Sequence, residues 1–188
     1  MADENQNNDN SDNVTIPGID PAAITGAGNG ADTGPAIGLI SQYVKDFSFE
    51  NPNAPTCYQW TSQPQIDVQF NIGTNVVAEN VYESAIKIDI VAKHDEGDSF
   101  VIDLTYAGLF GVRNVPADQV QAFMLAEAPR LIFPFARRVI ADAVRDGGFM
   151  PLLLEPIDFH SLFLQQQAAM QAQQDEAAAA VGEPLGTA

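Results

Sequence analysis

The feature that most constrains this chain is a change in the spacing of its apolar residues after Phe110. Before that residue, apolar and polar side chains alternate with a period of two in segments 43–50, 65–72, 86–92 and 100–106. This alternation predicts four strands, each with one apolar and one polar face. The last two connections are short and rich in turn-forming residues, which favours hairpins and an antiparallel sheet.

Beyond the fourth strand the apolar spacing becomes helical. It predicts helices over 116–128, 131–145 and 159–174, with Pro134 near the first turn of the second helix and Asp158 as the N-cap of the third. Strands followed by helices predict an α+β fold, with the helices packed on one face of the sheet.

The charge of the chain limits its partners. Among 188 residues, 25 Asp and Glu face only 8 Lys and Arg, giving a formal net charge of −17. A chain this acidic repels the phosphates of nucleic acids and the head groups of an anionic bilayer, so we expect neither as a partner. Its apolar stretches are too short for direct membrane insertion.

The single cysteine and the N-terminal sequence both indicate a cytoplasmic location. One cysteine cannot form an internal disulfide, which suits a reducing compartment. The first residues carry neither basic side chains nor an apolar run, so no secretory signal is expected.

Composition divides the chain into three regions. Residues 1–39 are predicted to be a disordered acidic N-terminal extension, because Asn, Gly, Ala and Pro dominate there without apolar periodicity. Residues 40–167 form one domain with a hydrophobic core, and residues 168–188 are predicted to be a flexible Gln/Ala-rich C-terminal tail.

Candidate catalytic groups are few and dispersed. His94 and His160 lack sequence neighbours suited to a proton relay, and Cys57 has no nearby histidine. The acidic turn at 94–98 has cation-binding residue types, but a turn that faces water explains them better. We therefore expect no enzyme, with a hydrolase that uses His94 or Cys57 as an alternative.

Two surfaces offer binding chemistry instead. Asp46, Glu50 and Asp103 fall on the polar side of their strands, with Val101 beside them, which fits either a solvated face or a docking surface for a basic partner. The connecting segments carry an unusual number of large apolar residues, which fit either core packing or subunit contacts and a binding groove: Tyr58, Trp60, Phe149, Met150, Leu152, Leu153 and Leu154.

Several strings in the chain resemble SecB, the bacterial protein-export chaperone family. They are YVKDFSFENPNAP at 43–55, LIFPFAR at 131–137, GGFMP at 147–151 and PIDF at 156–159. Their order and spacing fit the family over about residues 40–167. The N-terminal extension lies outside this resemblance.

The resemblance implies a four-stranded antiparallel sheet with helices on one face, assembled as a homotetramer that is a dimer of dimers. It implies an ATP-independent holdase without catalysis or cofactor, which binds unfolded preproteins in apolar grooves and delivers them to the SecA ATPase. In the family an acidic and aliphatic set on the outer sheet face contacts SecA, and here it falls on Asp46, Glu50, Val101 and Asp103.

For the client-binding groove we predict apolar residues of the connecting segments and of the second strand: Tyr58, Trp60, Ile66, Val68, Phe70, Phe149, Met150, Leu152 and Leu154. The sequence departs from the family at three places. Asp103 replaces a frequent Glu, Val101 replaces a frequent Leu, and Ser62 stands where a tryptophan is common, with Trp60 two residues earlier.

Two other functions stay open on the sequence. SecB-like chaperones devoted to antitoxins share the pattern, and a small-ligand-binding α+β module would have similar strands and helices. A closed pocket and a monomeric particle would favour the ligand-binding module, whereas a particle of four chains favours the chaperone.

Overall fold

A computed structural model describes residues 34–181, in which four long strands form a single antiparallel sheet. The strands are β1 (Ala36–Glu50), β2 (Gln65–Ala78), β3 (Val81–His94) and β4 (Gly97–Arg113). Their order across the sheet is β1-β4-β3-β2, so β1 and β2 are the edges. The predicted number of strands and their antiparallel pairing are confirmed.

The remaining elements are helical. A short 3₁₀ turn (Thr56–Gln59) lies between β1 and β2. After β4 come α1 (Ala117–Ala122), a π-helical turn (Phe123–Glu127), α2 (Ala128–Asp146) and α3 (Phe159–Val181). In the described part of the chain, no helix combines the length and the hydropathy needed to cross a membrane.

The strands are longer than the alternation predicts. The predicted turn at 73–75 is wrong, because Gly73 and Asn75 pair with Ala85 and Glu83 inside the β2–β3 ladder. The chain reverses instead near Asn80, which has a left-handed φ of 59°. Cross-strand hydrogen bonds outweigh the weak strand preference of Gly and Asn here.

The predicted break between the first two helices is also wrong. Helical structure continues from Ala117 to Asp146, and the π-helical turn ends two residues before Pro129, which lacks the N–H for a regular helical hydrogen bond. Pro134 lies inside α2 rather than in its first turn.

The predicted start of the third helix and the predicted end of the second helix are both confirmed. The Asp158 carboxylate accepts a hydrogen bond from the Ser161 backbone N–H at 3.0 Å, as an N-cap does. Gly147 follows the last residue of α2, and Gly148 takes a left-handed φ of 87°.

The predicted region boundaries do not coincide with element ends. Strand β1 starts at Ala36, so the sheet begins earlier than the predicted end of the extension at residue 39. Helix α3 continues past residue 168 to Val181. Residues 1–33 and 182–188, which make up most of the predicted extension and the end of the tail, lie outside the described residues.

We define the inner face of the sheet as the face covered by α1, the π-helical turn and α2. The hydrophobic core lies between this face and those helices. Ile88 pairs with Leu104 and Ile90 with Ile102, and all four are fully or almost fully buried. Gly108 permits a close approach of α2, because a Cβ there would lie 2.9 Å from the Ile132 side chain. The helices therefore pack on one face, as predicted.

A bulge at Lys45 changes which residues of β1 face the helices. The register shifts between Val44 and Asp46, so Tyr43 faces outward with Asp46 whereas Val44 faces inward with Phe47. The predicted alternation, which placed Tyr43 with Phe47, is wrong on the N-terminal side of this bulge because the extra residue reverses the faces.

Glu83 connects the bulged edge strand to the centre of the sheet. Its carboxylate, in a residue only 5% exposed, accepts hydrogen bonds from Tyr43 Oη and Lys45 Nζ, both at 2.6 Å, and from Asn75 Nδ2 at 3.3 Å. Since β4 lies between β1 and β3, these bonds cross an intervening strand. They join β1 and β2 to a carboxylate on β3.

This network shifts two pKa values in opposite directions. Burial raises the pKa of the Glu83 carboxyl, but the hydrogen bonds from Lys45, Tyr43 and Asn75 outweigh it and lower the pKa below the usual range. Burial and the bond to Glu83 raise the pKa of Tyr43 to about 12. The folded state therefore favours ionised Glu83 beside neutral Tyr43.

We predict that Glu83→Gln lowers the free energy of unfolding by about 1–3 kcal/mol, because a buried charge-assisted network loses its charge. Urea denaturation at neutral pH measures the loss. Since the folded pKa of Glu83 is lowered, its contribution is present above the ordinary Glu pKa of about 4.3 and is lost as the pH falls through the folded pKa. The difference between the two proteins should therefore shrink in acid.

Glu79→Gln is the matched control, because Glu79 lies exposed in the turn between β2 and β3. It should change stability by less than about 0.5 kcal/mol. Equal effects of the two substitutions would contradict the proposed role of the Glu83 network.

Candidate functional site

The connection after β1 is fastened to the end of α2 by side-chain hydrogen bonds. Tyr58 Oη donates to the Gly147 carbonyl at 2.9 Å and accepts from Asn51 Nδ2 at 2.8 Å. The buried Cys57 thiol donates to Asn51 Oδ1 at 3.3 Å. These bonds hold an apolar connecting segment next to the segment that follows α2.

A chain of aromatic contacts joins the core to this junction. The rings of Phe49 and Phe100 stack with centroids 6.1 Å apart, and Phe100 contacts Phe149 at 5.1 Å. Phe149 in turn contacts Tyr58 at 5.4 Å. Phe100 is buried but Tyr58 is half exposed, so the aromatic row runs from the sheet to the surface.

An open cavity of about 590 Å³, which we call the aromatic cavity, lies beside this row. It brings together six of the nine residues predicted for the groove: Tyr58, Trp60, Ile66, Phe149, Met150 and Leu152. Trp60 and Ser62 both line it, so the displaced tryptophan still reaches the cavity.

The other three predicted groove residues are not part of its lining. Leu154 is a core residue, 8% exposed, and its carbonyl accepts a hydrogen bond from Arg137 at 3.0 Å. Val68 packs against the core. Phe70 is partly exposed further along β2, with its ring 6.2 Å from that of Phe133. Alternation along a strand identifies a face, but it does not say where a cavity ends.

Sequence reasoning missed the polar part of the lining. Ser62, Gln63, His94 and Ser99 contribute to the cavity wall together with Phe100. His94 comes from the β3–β4 hairpin, and its ring lies 5.1 Å from that of Trp60. No sequence pattern links these positions, because the connection before β2 meets strands β3 and β4 only in the folded chain.

The mouth of the cavity carries large apolar side chains in solvent. Met150, which lines the cavity, is 90% exposed, and Leu153, three residues further along the chain, is 71% exposed. Such residues normally lie inside a protein, and clustered exposure is typical of an interaction site. The cavity can therefore accept apolar side chains of an extended polypeptide.

The contacts of His94 and Cys57 do not match a nucleophilic site. Ser62 Oγ lies 3.1 Å from His94 Nδ1 and donates to Glu96 Oε2 at 3.2 Å, so the carboxylate contacts the hydroxyl rather than the imidazole. In a Ser-His-Asp triad the carboxylate bonds to the histidine instead. Cys57 donates to an amide oxygen. Among residues 34–181, no three His, Cys, Asp or Glu side chains form a group that could hold a metal ion.

The predicted acidic set lies on the sheet face opposite the helices, which we call the outer face. Ser48 pairs with Asp103 and Glu50 with Val101 across the β1–β4 ladder, which also places Asp46 on this face. The four predicted residues therefore share one face, in three adjacent rows of the sheet.

The outer face also carries charges that the sequence analysis did not include. Lys87 Nζ lies 2.9 Å from Asp103 Oδ2 and 3.4 Å from Asp89 Oδ1, and Lys93 Nζ lies 3.5 Å from Asp67 Oδ2. The hydrogen bond to Asp103, and then that to Asp89, raises the pKa of Lys87. This acidic face therefore carries Lys87 and Lys93 as well as Lys45, whose ammonium group binds Glu83 on the same face.

The sequence matches the family profile described as "Preprotein translocase subunit SecB" over residues 30–170. It is similar to the protein-export protein SecB of Sphingopyxis alaskensis, with 61% identity over 183 residues that cover 97% of this chain and 99% of the relative. The protein-export protein SecB of Erythrobacter litoralis is 58% identical over 168 residues, covering 88% of this chain and 93% of that one. The first alignment includes most of the N-terminal extension.

The fold is similar to a solved structure of a SecB-like chaperone from Mycobacterium tuberculosis in complex with a peptide from an antitoxin. The TM-score is 0.55 and the identity 15%, over 64% of this chain and 90% of that one. At this identity the likeness concerns the fold.

We predict that an unfolded polypeptide without tryptophan shifts the emission of Trp60, the single tryptophan of this chain, to shorter wavelength. Binding in the aromatic cavity would exclude water from the indole ring. Phe149→Ala should weaken binding about five- to thirtyfold, since a central interface aromatic contributes about 1–2 kcal/mol. Fluorescence titration with a reduced, alkylated polypeptide measures both effects.

Phe70→Ala is the comparison variant, because it makes the same chemical change at a partly exposed aromatic outside the cavity. It should bind within about twofold of the unsubstituted protein. Equal losses in the two variants would contradict a site confined to the aromatic cavity.

Proposed function

This chain belongs to the SecB family, and we propose that the aromatic cavity and the outer face bind the two kinds of partner of a chaperone for protein export. The aromatic cavity and its exposed apolar rim hold unfolded preproteins. The outer face binds the SecA ATPase. The observation that carries the first part is the 90% exposed Met150 at the mouth of an aromatic-walled cavity.

Binding of many different clients requires affinity that does not depend on sequence. Burial of apolar surface contributes roughly 25 cal/mol per Å² in any orientation, so an apolar cavity accepts many side chains. The flexible thioether of Met150 can repack around clients of different shape. A folded client has already buried its apolar residues, which limits binding to unfolded chains.

Such a holdase needs no catalytic step. Binding delays folding by mass action, because the chaperone stabilises the unfolded state of its client. We propose that this protein acts in the cytoplasm without ATP, cofactor or catalysis of its own. The contacts of His94 and Cys57 described above support this proposal.

The outer face suits a basic partner. Asp46, Glu50 and Asp103 form a flat acidic surface with Val101 among them, and such a surface speeds association with a basic protein in a salt-sensitive way. The cavity belongs to the helix-covered side of the sheet, so client and motor would contact different sides of the subunit. This separation supports simultaneous binding.

An unpaired strand edge and an exposed apolar pair of residues support a homotetramer built as a dimer of dimers. Strand β1 is an edge strand of 15 residues, a length that invites pairing with a second copy. Leu131 and Phe135, four residues apart on α2, are 42% and 40% exposed. A tetramer would offer several cavities to one unfolded chain, and linked contacts raise the overall affinity.

The high identity to protein-export relatives, together with the acidic outer face, favours preproteins over an antitoxin as clients. The open cavity does not favour the small-ligand-binding module, because a small ligand is normally enclosed by its pocket.

We predict that Asp46→Lys/Asp103→Lys abolishes binding to SecA but leaves client binding within about twofold. Charge reversal repels a basic partner, whereas the cavity lies on the other side of the sheet. Titration of labelled SecA measures the first effect, and the delay in refolding of a secretory precursor measures the second.

Glu79→Lys/Asp146→Lys is the matched control, since it makes the same change in net charge at exposed positions outside the outer face. It should retain SecA binding. Loss of both activities in the Asp46/Asp103 variant, or no delay of refolding by the unsubstituted protein, would refute the proposal.

We also predict a native mass close to four times 20.2 kDa in light scattering. Leu131→Glu/Phe135→Glu should reduce the particle size, because it places charges on the apolar face of α2. Leu164→Glu, at an exposed position on α3, should not. A monomeric unsubstituted protein would contradict the assembly.

A further inference from the structure

Lys87 contacts two carboxylates on the outer face, one on its own strand, Asp89, and one on the neighbouring strand β4, Asp103. It lies on β3 and pairs across the ladder with Thr105 of β4. Its ammonium group is 2.9 Å from Asp103 and 3.4 Å from Asp89. Only Asp103 of these two belongs to the predicted SecA-binding set.

The two aspartates repel each other across the ladder, and Lys87 lies where it can offset that repulsion. Asp89 and Asp103 are direct cross-strand partners, and like charges in such a pair destabilise a sheet. Lys87, one row away on the same face, reaches both and offsets their repulsion. The ammonium group is therefore held by two carboxylates, although its side chain is 45% exposed.

Asp103 is consequently less available than the other acidic residues of its set. One of its oxygens, Oδ2, is bound by Lys87, and the other, Oδ1, is buried without a hydrogen-bond partner among the described residues. Among the described residues, Asp46 accepts only a backbone N–H, and Glu50 accepts only a serine hydroxyl. A docking cation meets open carboxylates at those two positions and an occupied one at Asp103.

We propose that Lys87 is an intramolecular competitor of the basic partner: it must release Asp103 before a cation of SecA can bind there, and it thereby limits affinity and sets the salt dependence of docking. The inference rests on the proposed function of the outer face and adds a specificity-determining residue to it. A weakly basic surface would not displace Lys87, whereas a strongly basic one would.

The chain offers a matched control on the same face. Lys93 is 51% exposed and pairs with Asp67 at 3.5 Å, outside the predicted SecA-binding set. Lys87→Gln and Lys93→Gln therefore change the net charge of the outer face equally. They differ in whether the freed carboxylate belongs to the docking set.

We expect Lys87→Gln to bind SecA about two- to fivefold more tightly at low salt, the range that corresponds to one exposed ion pair. Lys93→Gln should stay within about 1.5-fold of the unsubstituted protein. The affinity of Lys87→Gln should also fall more steeply as salt is added, because the freed carboxylate attracts the partner through a screened charge. Titration of labelled SecA with the full-length chain at several salt concentrations measures these constants.

A double-mutant cycle tests whether the effect acts through Asp103. In the Asp103→Asn background, Lys87→Gln should no longer tighten binding, since the carboxylate that it would free is absent. Circular dichroism of each variant confirms that the sheet is retained.

Equal effects of Lys87→Gln and Lys93→Gln, or weaker binding by Lys87→Gln, would overturn the competitor role even if Asp46→Lys/Asp103→Lys abolishes docking. If that charge reversal leaves SecA binding intact, the docking proposal itself fails, and the competitor role fails with it. The two failures are thus distinguishable.

Discussion

Burial of the inner sheet face against the helices is the interaction on which every other feature depends. Ile88, Ile90 and Leu104 are fully buried there, and the contact with α2 is close enough to require glycine at position 108. Since side chains alternate along each strand, fixing the inner face also fixes which residues face outward. The acidic outer face is thus a consequence of the register that buries the core.

The same register separates two kinds of binding chemistry. Non-directional apolar contacts are available at the aromatic cavity, where Tyr58 and Phe149 meet at the end of α2. Directional, salt-sensitive contacts are available on the outer face, where Lys87 already binds Asp103. The two surfaces lie on opposite sides of the sheet, so their side chains do not share contacts.

Where sequence-based predictions failed, a contact between distant segments outweighed a local preference. Gly73 and Asn75 suggested a turn, but ladder pairing with β3 keeps them in a strand. The bulge at Lys45 reversed the expected faces of β1, and its place is coupled to Glu83, which lies on β3. Six of the nine predicted groove residues line the aromatic cavity, but its polar wall, including His94, is assembled from strands that meet only in the fold.

The sequence by itself determined the fold class, the two-faced sheet and the common face of Asp46, Glu50, Val101 and Asp103, because a period of two is a local property that each strand carries alone. It also determined the family, through strings such as residues 43–55. Only the tertiary structure decided which contacts individual side chains make. It shows that Asp103 is held by Lys87, that Glu83 is a buried acceptor for three donors, and that Leu154 belongs to the core. Each of these depends on which residues face one another across strands or helices, and register between distant segments is set by the packing of the whole domain.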